Sequence, residues 1–150
     1  VGEKEVLALA LRAMGVGEEE ARPKGLTALA LLRAMEALGL PARGFRVGLG
    51  GLRDYFARGG LPLILHTTRP EPHYVVGVGV VGDQVVLDDP SWGRRLLPLQ
   101  GLIPRKGFGG AVLVPIPSPE LIPRVRARQG AVLAWAGGRL ERLEGLRRWP

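Results

Sequence analysis

Hydrophobic positions in the first third of the chain recur at helical spacing. Val6, Leu7, Ala10, Leu11 and Met14 share one stripe, which predicts a helix over Glu3 to Met14. Gly15-Val16-Gly17 ends it, and Glu18 to Lys24 is a polar connector containing Pro23. A second helix is predicted from Thr27, its N-cap, to Leu38, with Gly39 as the stop and Pro41 barring continuation. Ala42 to Val47 reads as a short strand and Gly48 to Gly51 as a turn. Leu52 to Ala57 reads as a short helix closed by Gly59-Gly60.

From Leu61 the apolar period shortens to that of strands. Leu61–His66, His73–Val81, Gln84–Asp89 and Ala111–Ile116 are β-rich runs bounded by Gly, Pro and Asp. Gly82-Asp83 marks a hairpin tip between the second and third of them. Helices followed by strands predict an α+β fold with one antiparallel sheet. Beyond Pro117 and Pro119, Ala131–Ala136 and Arg139–Glu144 flank Gly137-Gly138. The expectation there is a terminal hairpin, with a helix as the alternative. The chain therefore divides into a main domain, residues 1–117, and a carboxy-terminal appendage, residues 118–150.

Composition narrows the functional classes. A chain of 150 residues, 46% hydrophobic and 23% charged, has globular values and can bury a core. No apolar run is long enough to span a membrane, and no signal-type segment opens the chain, which leaves the compartment unknown. The first residue is Val rather than Met, so a cut or late-starting amino terminus is the expectation. There is no cysteine, which excludes disulfides and thiolate metal sites. Asn is absent, Met is scarce and Pro abundant, as in thermophile proteins, although base composition gives the same bias. The net charge of +7 is uneven, with seven Arg against three Glu from Ser118 onward. A basic tail can meet nucleic acid or anionic lipid. A solvated Arg-rich surface is the preferred reading, because no aromatic-basic platform is visible in the sequence.

The candidate chemistry lies in the strand-rich half. His73 opens the run His73-Tyr74-Val75-Val76, and sixteen residues later Asp89 stands in Asp88-Asp89-Pro90-Ser91-Trp92-Gly93. Leu61-Pro62-Leu63-Ile64-Leu65-His66 precedes both. This P-x-I-x-H, H-Y-V-V and D-D-P-x-x-G series resembles the bacteriocin-processing, double-glycine leader peptidases of the papain-like cysteine peptidase superfamily. Val1-Gly2-Glu3-Lys4-Glu5-Val6, Gly25-Leu26-Thr27 and Gly39-Leu40-Pro41-Ala42 echo further family elements, so the likeness covers roughly residues 1–114. The resemblance implies a papain-like α+β fold. It implies His73 as general base and Asp89 as the carboxylate that orients it, with a Cys on an earlier helix as nucleophile. It also implies a leader peptide with a small-residue or double-glycine cleavage site as substrate, and no cofactor or metal.

The cysteine is what this chain lacks. The family's nucleophile helix, with its Gln and Cys-Gly, falls just upstream of Val1 on the preferred alignment. A competing alignment lays Glu3–Met14 on that helix, with Gly2 near the Cys position. Ser91, Ser118 and the three Thr occur in no nucleophile context. The expectation is a peptidase-like domain that is inactive or amino-terminally truncated as it stands. The alternative is a degenerate, non-catalytic peptide- or partner-binding domain. Its partners are then a peptide, a missing amino-terminal helix or a second copy of the chain, with nucleic acid not favoured.

Strand geometry adds a conflict. With a two-residue turn at Gly82-Asp83, Asp88 falls opposite Gly77, and Asp88 rather than Asp89 shares the His73 face. A three-residue loop or a bulge reverses that parity. The family match selects Asp89, with Asp88 as the fallback. His66 has no counterpart in the family and is read as structural, and His66, His73, Asp88 and Asp89 together fit no standard zinc spacing. Gly48-Leu49-Gly50-Gly51 lacks the Lys-Ser/Thr of a phosphate loop. Trp92 is placed either beside Asp89 or over the core, and Trp135 and Trp149 over the appendage.

Overall fold

The computed structural model describes residues 28–37, 39–90 and 93–147. The predicted first helix, the Thr27 cap, Leu38, Ser91, Trp92 and Trp149 lie outside them. In chain order the elements are α1 (Ala28–Ala37), β1 (Ala42–Arg46), α2 (Leu49–Ala57), β2 (Leu63–Thr67), β3 (His73–Val81), β4 (Gln84–Asp89) and β5 (Gly93–Pro98). A single 3-10 turn leads into α3 (Leu102–Lys106), followed by β6 (Ala111–Pro115) and α4 (Ile122–Arg147). The strands form one six-stranded sheet in the order β1-β6-β2-β3-β4-β5. Every neighbouring pair is antiparallel, giving the α+β architecture the period change predicts.

Strand alternation sends apolar side chains to both faces of the sheet. On one face Leu63, Leu65, Val75, Val85, Leu87 and Leu97 pack with Leu52 of α2, Leu102 of α3 and Phe108. On the other, Ile64, Tyr74 and Leu113 meet Leu31 and Met35 of α1. There too Val76, Val78 and Val86 meet Val132 and Ala136 of α4. The sheet is therefore covered by helices on both sides, which explains why β3 and β4 are apolar at nearly every position.

The expected carboxy-terminal hairpin is instead the helix α4. Its inward positions, Ile122, Val125, Gln129, Val132, Ala136 and Leu140, follow helical spacing. The stretch is rich in Ala, Leu, Arg and Glu, strong helix formers, which outweigh about 1 kcal/mol lost at each of Gly137 and Gly138. Gly79 of β3 admits the helix: a Cβ there would stand 2.7 Å from Leu133 Cδ2. The Gly48–Gly51 turn is also corrected, because Gly48 is the N-cap and Gly50 and Gly51 already belong to α2. β5 and α3 escaped prediction. Gly93–Pro98 is an edge strand without alternation, and α3 is five residues long with a proline inside. Among the described residues no helix is long and apolar enough to cross a membrane.

Candidate active site

The β3–β4 hairpin decides which aspartate faces His73. Gly82 takes φ 59° at the first turn position, the sign that primed hairpin turns require, and Val81 pairs with Gln84 across a two-residue tip. Below it the register runs Val80↔Val85 and Gly79↔Val86, then jumps to Gly77↔Leu87 and Val76↔Asp88. Val78 is the extra residue, a β-bulge whose side chain is buried against α4. The bulge reverses the parity that the simple turn alone imposes. His73 then shares a face with Val75, Leu87 and Asp89, while Asp88 points to the α4 side.

The two aspartates have separate partners. The Nε2 of His73 lies 3.1 Å from Asp89 Oδ2, with the side chains 15% and 2% exposed. Pro90 follows Asp89 and favours extended backbone there. On the opposite face Arg94 of β5, directly across the ladder, donates to Asp88 through Nε at 2.8 Å and Nη2 at 3.2 Å. The same guanidinium lies 5.6 Å from the centre of the Trp135 ring on α4. Asp88, the fallback, is thus neutralised away from His73.

The second ring nitrogen is also held. His73 Nδ1 donates to the Glu71 carbonyl at 2.9 Å, and the Thr67 hydroxyl lies 3.4 Å from Nδ1. A carbonyl only accepts, so Nδ1 carries a proton, and the doubly protonated imidazolium satisfies both sides of the ring. The hydrogen bond to Asp89 accordingly raises the His73 pKa above its ordinary 6.5, against burial, which lowers it. The Glu71 carbonyl and the Asp89 charge add to the rise, and the Lys106 charge offsets part of it. The His66 and Tyr74 rings meet at 4.9 Å between centres, tilted by 53°, and burial together with the His73 charge lowers the His66 pKa. Among the described residues no group of three His, Cys, Asp or Glu side chains could hold a metal ion.

The sequence reading missed Thr67 and Lys106. Thr67 is fully buried and pairs with His73 across β2 and β3. It sits one residue past the predicted strand end, and alternation from Leu63 and Leu65 would have placed it on the inner face. Lys106 ends the unpredicted α3, where no local pattern pointed inward.

A histidine held by a strand-borne carboxylate, on an antiparallel sheet reached after a helix, can be tested against known families. A family model described as the peptidase C39 family matches residues 17–120. The chain belongs to the peptidase C39 family. Solved structures agree on the fold. The peptidase domain of Streptococcus ComA, a bi-functional ABC transporter of a quorum-sensing pathway, is 22% identical with a TM-score of 0.59. That match covers 74% of this chain and 77% of the other. The Streptococcus mutans ComA peptidase domain is 23% identical at TM-score 0.60, covering 74% and 87%. A double glycine motif protease from an AMS/PCAT transporter, solved with its leader peptide, is 27% identical at TM-score 0.56, covering 77% and 83%. A search of curated proteins gave no match. The papain-like α+β fold of the C39 peptidases is therefore the fold of this chain, and the matched segment contains both His73 and Asp89.

Proposed function

We propose that this C39 domain carries the histidine and carboxylate of a leader-peptide processing site, and that its 150 residues lack only the nucleophile needed to cut. The observation that carries the reading is the His73 Nε2 to Asp89 Oδ2 contact of 3.1 Å on the inner face of the sheet. In thiol proteolysis an imidazolium keeps the thiolate ionised and later protonates the leaving amine, and a carboxylate fixes the ring. The raised His73 pKa suits that role. With Nε2 committed to Asp89, Nδ1 is the nitrogen that would exchange its Glu71 carbonyl for a thiol. The covalent step needs an attacking sulfur, and none of the 150 residues is cysteine. That same fact favours a second reading, a non-catalytic peptide-binding domain of the same family. The leader peptide in the related AMS/PCAT protease complex supports a peptide as ligand in either case.

A fusion separates the two. A helix starting with Cys-Gly, joined ahead of Val1, should confer iodoacetamide-sensitive cleavage of a double-glycine peptide. His73→Ala should abolish the activity, and Asp89→Asn should lower kcat about 10²–10⁴-fold. Hydrolysis by the unfused chain would refute the thiol mechanism. A fusion that binds the peptide but never cuts it would establish the non-catalytic reading.

A further inference from the structure

Gln129 lies on the inward stripe of α4 and is buried, 7% exposed. Its amide nitrogen donates to two carbonyls, those of Gly60 and Val78, each at 2.9 Å. Two acceptors settle which way the amide faces, because its own oxygen can donate to neither. Gly60 belongs to the linker from α2 to β2, and Val78 is the extra residue of the β3 bulge. One turn earlier on α4, Arg126 donates to the Gly59 carbonyl at 2.7 Å, so the helix holds that linker at two points.

Val78 has no partner residue on either neighbouring strand. Toward β4 the register passes from Gly77↔Leu87 to Gly79↔Val86 and leaves it out. Toward β2 the ladder ends at Leu63↔Gly77, and the next residue back, Pro62, has no N–H to offer. A buried carbonyl without a donor is strongly disfavoured. The amide arriving from α4 therefore stands in for a strand donor, at the residue where the hairpin changes parity. Without a bulge the alternation would run unbroken to the Gly82-Asp83 tip, and Asp88 would take the place of Asp89 on the His73 face. α4 begins at Ile122, beyond the residues 17–120 that the family model matches, so this support comes from outside the matched segment.

We propose that Gln129 is a positioning residue for the His73–Asp89 pair: by holding the bulge at Val78 from the back of the sheet, it selects which of two adjacent aspartates faces the histidine. This rests on the reading of that pair as the working site, and not on what the site cuts.

NMR on the unmodified protein and on Gln129→Met tests it. Methionine keeps the length of the side chain and removes both donors. In the unmodified protein the Gln129 amide protons should exchange with solvent far more slowly than those of Gln100, which is exposed. In Gln129→Met, with circular dichroism confirming the fold, the cross-strand contacts between Gly77 and Leu87 should weaken. The His73 titration midpoint should fall towards that of Asp89→Asn. Deleting Val78 as well should restore the midpoint, since no bulge is then left to hold, whereas general damage from the substitution would persist. A folded Gln129→Met protein with unchanged contacts and an unchanged midpoint would overturn the assignment. So would Gln129 amide protons that exchange as fast as those of Gln100, a comparison that stands whether or not the variant folds. An Asp89→Asn protein whose His73 midpoint does not move would instead overturn the reading of the pair, and this inference with it.

Discussion

At the scale of residues, the two histidines of this chain should titrate in opposite directions. His73 is held protonated by acceptors on both ring nitrogens, whereas burial and the charge of His73 disfavour protonation of His66. An NMR titration should place His73 above 6.5 and His66 below it, and Asp89→Asn should lower the His73 value. A His73 that titrates below His66 would contradict the hydrogen-bonded geometry. Linkage gives the matching effect on stability. Because the folded-state pKa of His73 lies above the unfolded one, its protonation favours the fold. That contribution is complete below about pH 6.5 and is lost as pH rises through the folded value. Denaturant melts of the wild type and His73→Gln should therefore differ most on the acid side and converge as pH rises. Much of this site was legible in the sequence. The sixteen-residue interval from His73 to Asp89 and the following Pro90 carried the family pattern. Lys106 was not legible, because its burial comes from the docking of α3 against Thr68 and Arg69, a contact no local pattern announces.

The element that matters most is the β3–β4 hairpin. Its turn was readable from Gly82-Asp83, and so were the strands on either side. The bulge was not, because Gly77-Val78-Gly79 continues an apolar run that is the same whichever residue is extra. What selects Val78 is tertiary: it fills the space beneath α4, while Gly79 makes room for Leu133. The bulge can be tested by arithmetic on the chain. Deleting Val78 removes the extra residue and leaves Gly77 opposite Leu87, so His73 and Asp89 should stay on one face and the raised His73 titration should survive. A deletion that returns His73 to the titration of an unpartnered imidazole would show that Val78 is not the residue that sets the register. Gly79→Val should also destabilise the fold by about 1 kcal/mol in a denaturant melt, since the end of the Leu133 side chain must turn away from the new group.

For the whole molecule, the carboxy-terminal helix α4 packs on the back of the sheet. Alternation around Gly137-Gly138 suggested a hairpin because two glycines resemble a turn when read without their neighbours. The six-position stripe from Ile122 to Leu140 was in the sequence as well, and it prevails because it lies on the apolar backs of β3 and β4. The structure also supplies what the sequence reading could not find, an aromatic ring among basic groups. Trp135 is approached by Arg94 at 5.6 Å and by Arg139 at 5.7 Å. Removing the Arg94 side chain should cost about 2–3 kcal/mol in a thermal or denaturant melt, since Asp88 is left as a buried carboxylate without its fork. A loss under 0.5 kcal/mol would mean that Asp88 finds water or another donor instead. Asp88 and Asp89 look in opposite directions from consecutive residues, with Cα atoms about 3.8 Å apart. One is moored to the helix on the back of the sheet and the other to the histidine on the front. The chain of contacts from Trp135 through Arg94 and Asp88 to Asp89 and His73 makes a test: Trp135→Ala, on the opposite face of the sheet, should register in the His73 titration if the two faces are coupled, and an unchanged titration would show that they are not.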